Sequence, residues 1–436
     1  MEFPSYTKSV TFEDYSVLHN LVSGAWIKVM NTYYGELLRF FSFPDSGNFK
    51  SNIPDFEQFL THLLENGYVA SSEVPGLGEK SRCNIQFAYL HICDGCNLRC
   101  KACYYSPTSA YTYMDSEVAI RAVELLAEAG ARSITVSGGE PLLHPNVIAI
   151  LRAIKENGLK AQLVTNGILL NGSLAVQLAD IVDTLYVSVD GLEREHEEIR
   201  GLGTYAAAIN GATSAKNAGL RRVVLTTTLA RVNIGSSIRM IRYLEKLGFE
   251  QSFSLFMPVG IGKSNAEMLL PSPQQCLNFF LQLLEDNNSI SLPEPVALTS
   301  RCSCGPGTGI VSIDPDGSIF PCNLMRIGSM RIGKVQDVRG SLAKFIETSA
   351  IFSTLQENCV DSNPQCSSCK VRYFCGGGCK ANTIVGGFCT DPHCTWYKPL
   401  YLAGIEFANK LSYTPDVPVL MREYLKSGGW VEDGCT

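Results

Sequence analysis

"CDGCNLRCKACYYSP" (residues 93–107) places four cysteines within eleven positions. Four thiols so close together serve either a disulfide framework or a metal site, and the rest of the chain narrows the choice. The 436 residues are 45% hydrophobic and 18% charged, the balance of a globular protein with a substantial core, and the length suggests about two to four domains. No run approaches the roughly 18 apolar residues of a membrane span, and the start, MEFPSYTKSVTFEDYS, lacks the basic-then-apolar order of a signal peptide. A cytoplasmic protein with no membrane partner is therefore expected. A formal net charge of −6 argues against a general affinity for nucleic acid. Seventeen cysteines in a compartment that keeps thiols reduced are poorly explained as disulfides, which leaves metal ligation.

Five of the cysteines lie between Cys83 and Cys103, only Cys276 and Cys302 follow in the long middle of the chain, and the rest crowd from Cys304 onward. Cys96, Cys100 and Cys103 are spaced C-x3-C-x2-C, whereas a zinc site usually takes four ligands, often as two C-x2-C knuckles. Three thiolates can hold three irons of a [4Fe–4S] cube and leave the fourth iron open to a non-protein ligand, as a cluster that binds and cleaves a cofactor requires. Half a zinc knuckle is the competing explanation of these residues alone. "CNLRCKACY" resembles the signature of the radical S-adenosylmethionine (SAM) superfamily, and Cys93 fits no position of it.

Downstream, strand-like and helix-like runs alternate: NIQFAYLHI, then SEVAIRAVELLAEAG, SITVSG, NVIAILRAIKENG, and onward to QSFSLFMPVG, about six β/α units. Such alternation implies a parallel sheet covered by helices and curled into a complete or partial barrel, with the active site at the C-terminal ends of the strands. An α/β fold with a partial (β/α)6-type barrel is expected over residues 84–270.

The unusual residues fall at those strand ends. In SGGEPLLHP (137–145), two glycines allow close backbone approach and Glu140 offers a carboxylate for an ammonium. The stretch resembles the superfamily's GGEP motif, and the resemblance implies that Gly138, Gly139 and Glu140 bind the amino group of SAM. TNG (165–167) reads as loop chemistry alone. In VSVDGLEREHEEIRG (187–201), Arg200 suits a carboxylate. By resemblance to the SVDG and IRG motifs of family members with additional clusters, Ser188 and Arg200 are implied as ligands of the methionine carboxylate, and Asp190 as a turn or ribose contact. Tyr104, next to the last cysteine of the triad, is placed to lie beside the adenine.

CGPGTGIVSIDPDGSIFPC (304–322) reads as a hairpin with a DPDG turn. Its cysteines and those of CSSCKVRYFCGGGC match the pattern of the SPASM domain, with Gly317 at the pattern's glycine. That resemblance implies two auxiliary [4Fe–4S] clusters over residues 304–400, one on Cys304, Cys322 and Cys379, the other on Cys366, Cys369, Cys375 and Cys394. The first set is one thiolate short; Cys302 could complete it, or the position could stay open to a substrate atom. Two zinc sites are the competing explanation of these thiols.

Residues 1–83 show two strand-like runs about a VSG turn and two helical periods, a small winged-helix-like module. It is similar to the peptide-recognition elements of radical SAM enzymes that modify ribosomally made peptides. Residues 271–303 read as a linker with a bridging helix and 401–436 as a helical tail. Sulfatase maturases generally carry an aspartate after the second SPASM cysteine, where this chain has Asn323, and an amide is no substitute for a carboxylate base. What the resemblance implies is a radical SAM/SPASM maturase of a leader-bearing precursor peptide. It would use SAM and three [4Fe–4S] clusters, take electrons from a flavodoxin or ferredoxin, and form a 5'-deoxyadenosyl radical that abstracts hydrogen and installs an oxidative crosslink. A sulfatase-maturase-like activity or a small-molecule radical SAM dehydrogenase is the alternative.

Overall fold

A computed structural model describes residues 2–42, 49–70, 83–108, 111–285, 298–407, 423 and 425–426. Residues 71–82 of the N-terminal module, residues 286–297 of the linker and most of the expected tail lie outside the described residues.

Residues 7–30 form an antiparallel sheet of β1 (Thr7–Thr11), β2 (Tyr15–Asn20) and β3 (Trp26–Met30), in that order. The β2–β3 turn is closed by Asn20, whose side-chain oxygen accepts from the N–H groups of Val22 and Ser23, while Gly24 takes a positive φ of 77°, where glycine carries no steric penalty. The alternation of a strand gives this sheet two apolar faces. Leu18 and Val29 pack beneath α1 (Asn31–Phe41) and α2 (Phe56–Glu65), against Leu37, Phe40, Phe56 and Leu63. Val17, Tyr15 and Trp26 face the other way, onto Phe374, Tyr401, Leu402 and Ile405 of the C-terminal region. The hairpin and both helices were legible in the sequence, and β1 was not.

The middle of the chain forms β4 (Phe87–Cys93), β5 (Ser133–Gly138), β6 (Lys160–Thr165), β7 (Thr184–Ser188), β8 (Val223–Leu229) and β9 (Glu250–Leu255), hydrogen-bonded in sequence order and all parallel. Between them run α3 (Ser116–Glu128), α4 (Val147–Glu156), α5 (Gly172–Ala179), α6 (Glu193–Arg200), α7 (Thr204–Asn217) and α8 (Ser237–Lys246). Asp115 caps α3 through the N–H groups of Glu117 and Val118, and Asn171 caps α5 through Leu174, each cap worth about 1 kcal/mol.

One face of every strand is apolar: Leu90, Ile92, Ile134, Val136, Leu163, Leu185, Val187 and Leu225 form one core with Val123, Leu126, Ile150 and Ile154 of the helices. Strand alternation puts Tyr89, Thr135, Ser137, Gln162, Tyr186, Ser188 and Thr226 on the opposite face, and Thr135 Oγ1 donates to Gln162 Oε1 across it at 2.8 Å. A face lined with hydroxyls, a carboxamide and phenols is built to receive something polar rather than to be packed over.

The hairpin after the β/α units is β10 (Ile310–Ile313) and β11 (Ser318–Phe320), antiparallel about the Asp314–Gly317 turn as expected. Its position was not expected. β10 adds to the parallel sheet beside β4, Ile310 opposite Phe87 and Ile313 opposite Leu90. With β12 (Gly333–Lys334) it extends the sheet to nine strands, leaving β12 and β9 as the edges. After β9, α9 (Pro273–Glu285) packs Phe280 against Trp396 of α10 (Cys394–Phe407). Among the described residues no helix is long and apolar enough to cross a membrane.

Candidate active site

The three cysteines Cys96, Cys100 and Cys103 stand on the loop that leaves the C-terminal end of β4, and segments that follow β5, β7 and β9 hold that loop. From β5, the N–H of Gly139 donates to the Cys93 carbonyl at 2.7 Å and the N–H of Glu140 to Gly95 at 2.9 Å. A Cβ on Gly139 would collide with the Gly95 carbonyl, and one on Gly138, at φ 138°, with that of Cys93. Close approach therefore does require both glycines, but what they approach is the cysteine loop. From α6, the Ile199 carbonyl accepts the N–H of Lys101. From the segment after β9, the N–H of Gly262 donates to the Cys103 carbonyl, and Gly260, at φ 61°, lies so close to the Cys103 and Tyr104 carbonyls that a side chain would collide.

Cys96 also accepts from the N–H of Leu98 at 3.4 Å, and Arg200 Nη1 reaches Cys100 Sγ at 3.9 Å. Burial, with the neighbouring carboxylate and thiols adding to it, pushes the Cys96 thiol up to about 12. Such thiols become thiolates only beside a concentrated positive charge, which an iron cluster brings.

Glu140 is 1% exposed, and burial raises its pKa against the hydrogen bonds it receives. Those come from Thr165 Oγ1 at 2.7 Å, the N–H of Asn166 at 2.9 Å and the N–H of Leu142 at 3.1 Å. A carboxylate has about four acceptor positions, so one is left for an ammonium, whose charge would also favour ionisation. Asn166 further donates to Asn97 Oδ1, tying the TNG turn to the cysteine loop. The sequence reading gave that turn no functional weight because Thr and Asn are ordinary turn residues.

Arg200 donates through Nε to Asp190 Oδ2 at 2.6 Å, and Asp190 also accepts the N–H of Thr228 at 2.8 Å. With no exposed surface, Asp190 is occupied inside the protein, where it orients Arg200. The remaining guanidinium donors stand uncommitted to other carboxylates. Ser188, at the end of β7, is nearly buried. Tyr104 is half-buried, its hydroxyl influenced by Ser137 on one side and Asn323 on the other. It therefore spans from the triad to the residue after Cys322. Beside it His91, on β4, donates or accepts at Nδ1 with Asp314 Oδ1 at 3.1 Å. Arg326 pins the same carboxylate with two nitrogens and lies over the Tyr105 ring at 3.6 Å. None of these three was singled out from the sequence.

Among the described residues no three potential ligands converge as they would on one ion; the C-terminal thiols instead fall into two groups. Cys379 lies within electrostatic range of Cys304 and Cys322, which are also neighbours. Cys375 has Cys394 and Cys369 around it, and these three line, with Cys366, a cavity of ≈ 600 Å³. Burial pushes Cys322 and Cys375 each up to about 12. Between Cys302 and Cys304 the Ser303 hydroxyl is buried without a partner, a donor suited to a cluster sulfide. Both donor sets fit iron–sulfur clusters. Cys302 stands beside Cys359, their Cα atoms 5.3 Å apart, and Cys359, outside every motif read from the sequence, is thereby brought beside the first group.

Residues 90–244, which contain the triad, Glu140, Ser188 and Arg200, match the radical SAM superfamily. The chain carries a radical SAM domain. The family uses SAM and a [4Fe–4S] cluster, and the protein is accordingly a radical SAM enzyme. Among curated relatives, the AdoMet-dependent heme synthase of Methanosarcina barkeri is 24% identical over 342 residues, 70% of this chain and 94% of its own length. The mycofactocin maturase MftC of Mycobacterium ulcerans is 24% identical over 320 residues, 69% of this chain and 85% of its own. Among solved structures, anSMEcpe with bound AdoMet and the Kp18Cys peptide has a TM-score of 0.60 at 20% identity, covering 75% of this chain and all of that one. Streptococcus suis SuiB bound to its precursor peptide SuiA has a TM-score of 0.54 at 14% identity, covering 88% of this chain and 96% of that one. At these identities the structural likeness establishes the radical SAM fold.

Proposed function

We propose that this radical SAM enzyme is a maturase of a ribosomally made, leader-bearing precursor peptide, on which it installs a thioether, C–C or C–O crosslink. The observation that carries the proposal is a strand edge on the N-terminal module, which we read as winged-helix-like, with no strand paired to it among the described residues. β2 and β3 are bonded at their ends through the N–H of Asn20 to Ala25 and the N–H of Asn31 to Asp14, with Leu18 opposite Ile27 and Ser16 opposite Val29 between. Alternate residues of an antiparallel pair exchange hydrogen bonds. Ala25, Ile27 and Val29 therefore face β2, and Trp26, Lys28 and Met30 present their backbone groups to the open edge. A leader peptide would add there as a fourth strand. The mycofactocin maturase MftC, and SuiB with its bound precursor peptide SuiA, support the same class of substrate.

When bound, SAM and the clusters supply the carbon-radical chemistry and the acceptor for the electrons that an oxidative crosslink releases. The chain's own residues do the rest. Cys96, Cys100 and Cys103 would hold the SAM-binding cluster; Cys304, Cys322 and Cys379, and Cys366, Cys369, Cys375 and Cys394, the two auxiliary ones. Glu140 would take the ammonium of SAM, Arg200 and Ser188 its carboxylate, and Asp190 keeps the guanidinium aimed. The hydroxylated face of the sheet orients the substrate segment. Asn323 offers an amide where sulfatase maturases carry their base, which favours a crosslink over that oxidation. A flavodoxin or ferredoxin would be the reductant.

Lys28→Pro tests the edge. Because the Lys28 N–H points away from β2, proline there removes a donor from the open edge and no bond within the sheet. Binding of a synthetic peptide encoded beside the gene should weaken roughly tenfold or more, about 1.4 kcal/mol, with SAM cleavage retained. Ile27→Pro, which breaks the β2–β3 pairing, is the control for unfolding. Unchanged modification of the peptide by a folded Lys28→Pro enzyme would remove the edge from the account and favour a small-molecule substrate.

A further inference from the structure

The polar face of the parallel sheet carries hydrogen-bonding groups but almost no charge. Along β4 to β9 the acidic and basic side chains are Lys160 and Glu250 alone. Both stand exposed at the N-terminal ends of their strands, and Glu250 is bonded to Arg222. The cysteine loop lies at the opposite ends. There Glu140 and the Asp190–Arg200 pair are taken up by SAM in the function proposed above, and Asp314 and Arg326 neutralise each other through two hydrogen bonds. Burial keeps His91 neutral, against its bond to Asp314. What the face offers instead is layered by the strand register. Tyr186 stands opposite Val164 on one side and Val224 on the other. One layer nearer the N-terminal ends, Tyr89, Thr135 and Gln162 are opposite one another, with Ser312 of β10 beside Tyr89. The Gln162 carboxamide oxygen accepts from Thr135 Oγ1, and no described residue takes its two N–H donors. Ser312 Oγ is buried without a partner among the described residues. Tyr89 lies within electrostatic range of Tyr104, Tyr186 and Cys322, so three phenols gather over this layer beside the first auxiliary group.

We infer that the peptide side chain received against this face is an uncharged one, and that Gln162 is the residue that sets the preference. The charged end of an Asp, Glu, Lys or Arg would leave water for phenols, hydroxyls and a carboxamide, which supply dipoles but no opposite charge. A charge buried in that way is costly. A neutral end gives up less hydration. It meets donors on the Gln162 amide and, on the hydroxyls around it, groups that both donate and accept. Val164, Val224 and the Tyr186 ring, one layer nearer the cysteine loop, suit the aliphatic stem behind such an end. Gln162 decides the charge of the floor because its carboxamide is anchored on Thr135 and has the shape of a carboxylate. Glutamate in its place would turn a neutral floor into an anionic one at the same volume. The inference rests on the proposal that the substrate is a precursor peptide and names the class of side chain that this substrate presents.

The test uses the reconstituted full chain and the synthetic peptide encoded beside the gene. Mass spectrometry locates the residue that is modified, and peptides with Gln, Glu, Met or Lys at that position are compared. The readout is kcat/KM for peptide-dependent formation of 5'-deoxyadenosine, since each of these side chains has C–H bonds to offer. The native enzyme should favour Gln over Glu, and Met over Lys, by roughly a hundredfold or more. Gln162→Glu should invert one of these preferences, raising use of the Lys peptide by about tenfold or more while the Glu peptide stays rejected. Loss of packing alone would lower all the peptides together and invert nothing, and a melting curve identifies a variant that does not fold. In that event the comparison of peptides on the native enzyme still decides. Use of the Glu or Lys peptide as readily as of its neutral counterpart by the native enzyme would overturn the inference. A folded Gln162→Glu enzyme with unchanged preferences would overturn the role of Gln162. Failure of the underlying proposal looks different: the unaltered peptide would then stimulate no 5'-deoxyadenosine formation at all, and the inference would fall with it.

Discussion

Glu140 has most of its acceptor positions filled inside the protein, whereas Arg200 commits Nε to Asp190 and approaches Cys100 through Nη1, and what remains uncommitted on each sets the expected phenotype. Glu140→Gln keeps the shape and one acceptor oxygen, for Leu142 and Thr165, but sets an NH2 against the Asn166 N–H and removes the charge that an ammonium needs. Since hydrogen bonds to charged groups are worth about 1.5–3 kcal/mol, SAM affinity should fall by roughly ten- to a hundredfold, measured by equilibrium dialysis, with iron content unchanged. Gly139→Ala should do the reverse. Its Cβ meets the Gly95 carbonyl and the Cys96 nitrogen, backbone that cannot yield without moving the cysteine loop, so iron bound by the triad should be lost along with SAM cleavage. At this scale the sequence was informative wherever a residue type is unusual for its place, as with three spaced cysteines or a buried glutamate after two glycines. It was silent where an ordinary residue gains its role from a distant neighbour. Thr165 and Asn166 read as turn residues, and Cys359 read as nothing, because their neighbours Glu140 and Cys302 are 25, 26 and 57 positions away.

The elements that carry the site were legible because each has a period of its own: apolar on the helix side of β4 to β9, with caps and glycines at the ends of the helices. β10 and β1 were harder for the same reason. Four or five residues give little periodicity, and β10 finds its place only by pairing with β4, more than 200 positions earlier in the chain. The contact between β2 and the C-terminal region makes a prediction of its own. His19, on β2, is 1% exposed, bonds Ser300 Oγ through Nδ1 at 2.8 Å and lies against the rings of Tyr373 and Phe374. Burial, reinforced by the charge of Arg372, lowers its pKa to about 3. Burial likewise lowers His91 to about 4, against its bond to Asp314. Both are neutral in the folded chain where the unfolded chain takes up protons, so the sign is fixed: stability is full above about pH 6.5 and falls as the pH drops towards 4. The slope is about 1.4 kcal/mol per pH unit for each histidine. Thermal unfolding followed from pH 7.5 to 4.5 should show the loss, to which His144, His196 and His393, also lowered by burial, contribute, and His19→Phe should reduce the slope by one histidine's share, about 1.4 kcal/mol per pH unit.

At the scale of the whole molecule the N-terminal module and the cysteine-rich region are one packed unit, which separate motifs could not disclose. Trp26 Nε1 donates to the Leu298 carbonyl at 2.8 Å, across 272 positions of sequence, and the module's second apolar face covers Phe374 and Tyr401 next to Cys369 and Cys375. Deleting residues 1–83 should therefore do two things: abolish peptide modification, and loosen the second auxiliary group so that up to about four irons are lost. Reductive cleavage of SAM should survive, because every hydrogen bond described above to the triad loop, Glu140 and Arg200 comes from downstream residues. Iron analysis of the truncated chain separates that outcome from general unfolding, which would release all of the metal. The central claim, that Cys96, Cys100 and Cys103 hold the cluster that cleaves SAM while two further groups hold auxiliary clusters, is tested most directly by anaerobic iron and sulfide analysis. The intact chain is compared with the Cys96→Ala, Cys100→Ala, Cys103→Ala variant, each with its rate of reductive SAM cleavage. About twelve irons and cleavage are expected for the first, and about eight irons without cleavage for the second. Cleavage retained by the triple variant, or an intact chain that carries zinc and little iron, would contradict it.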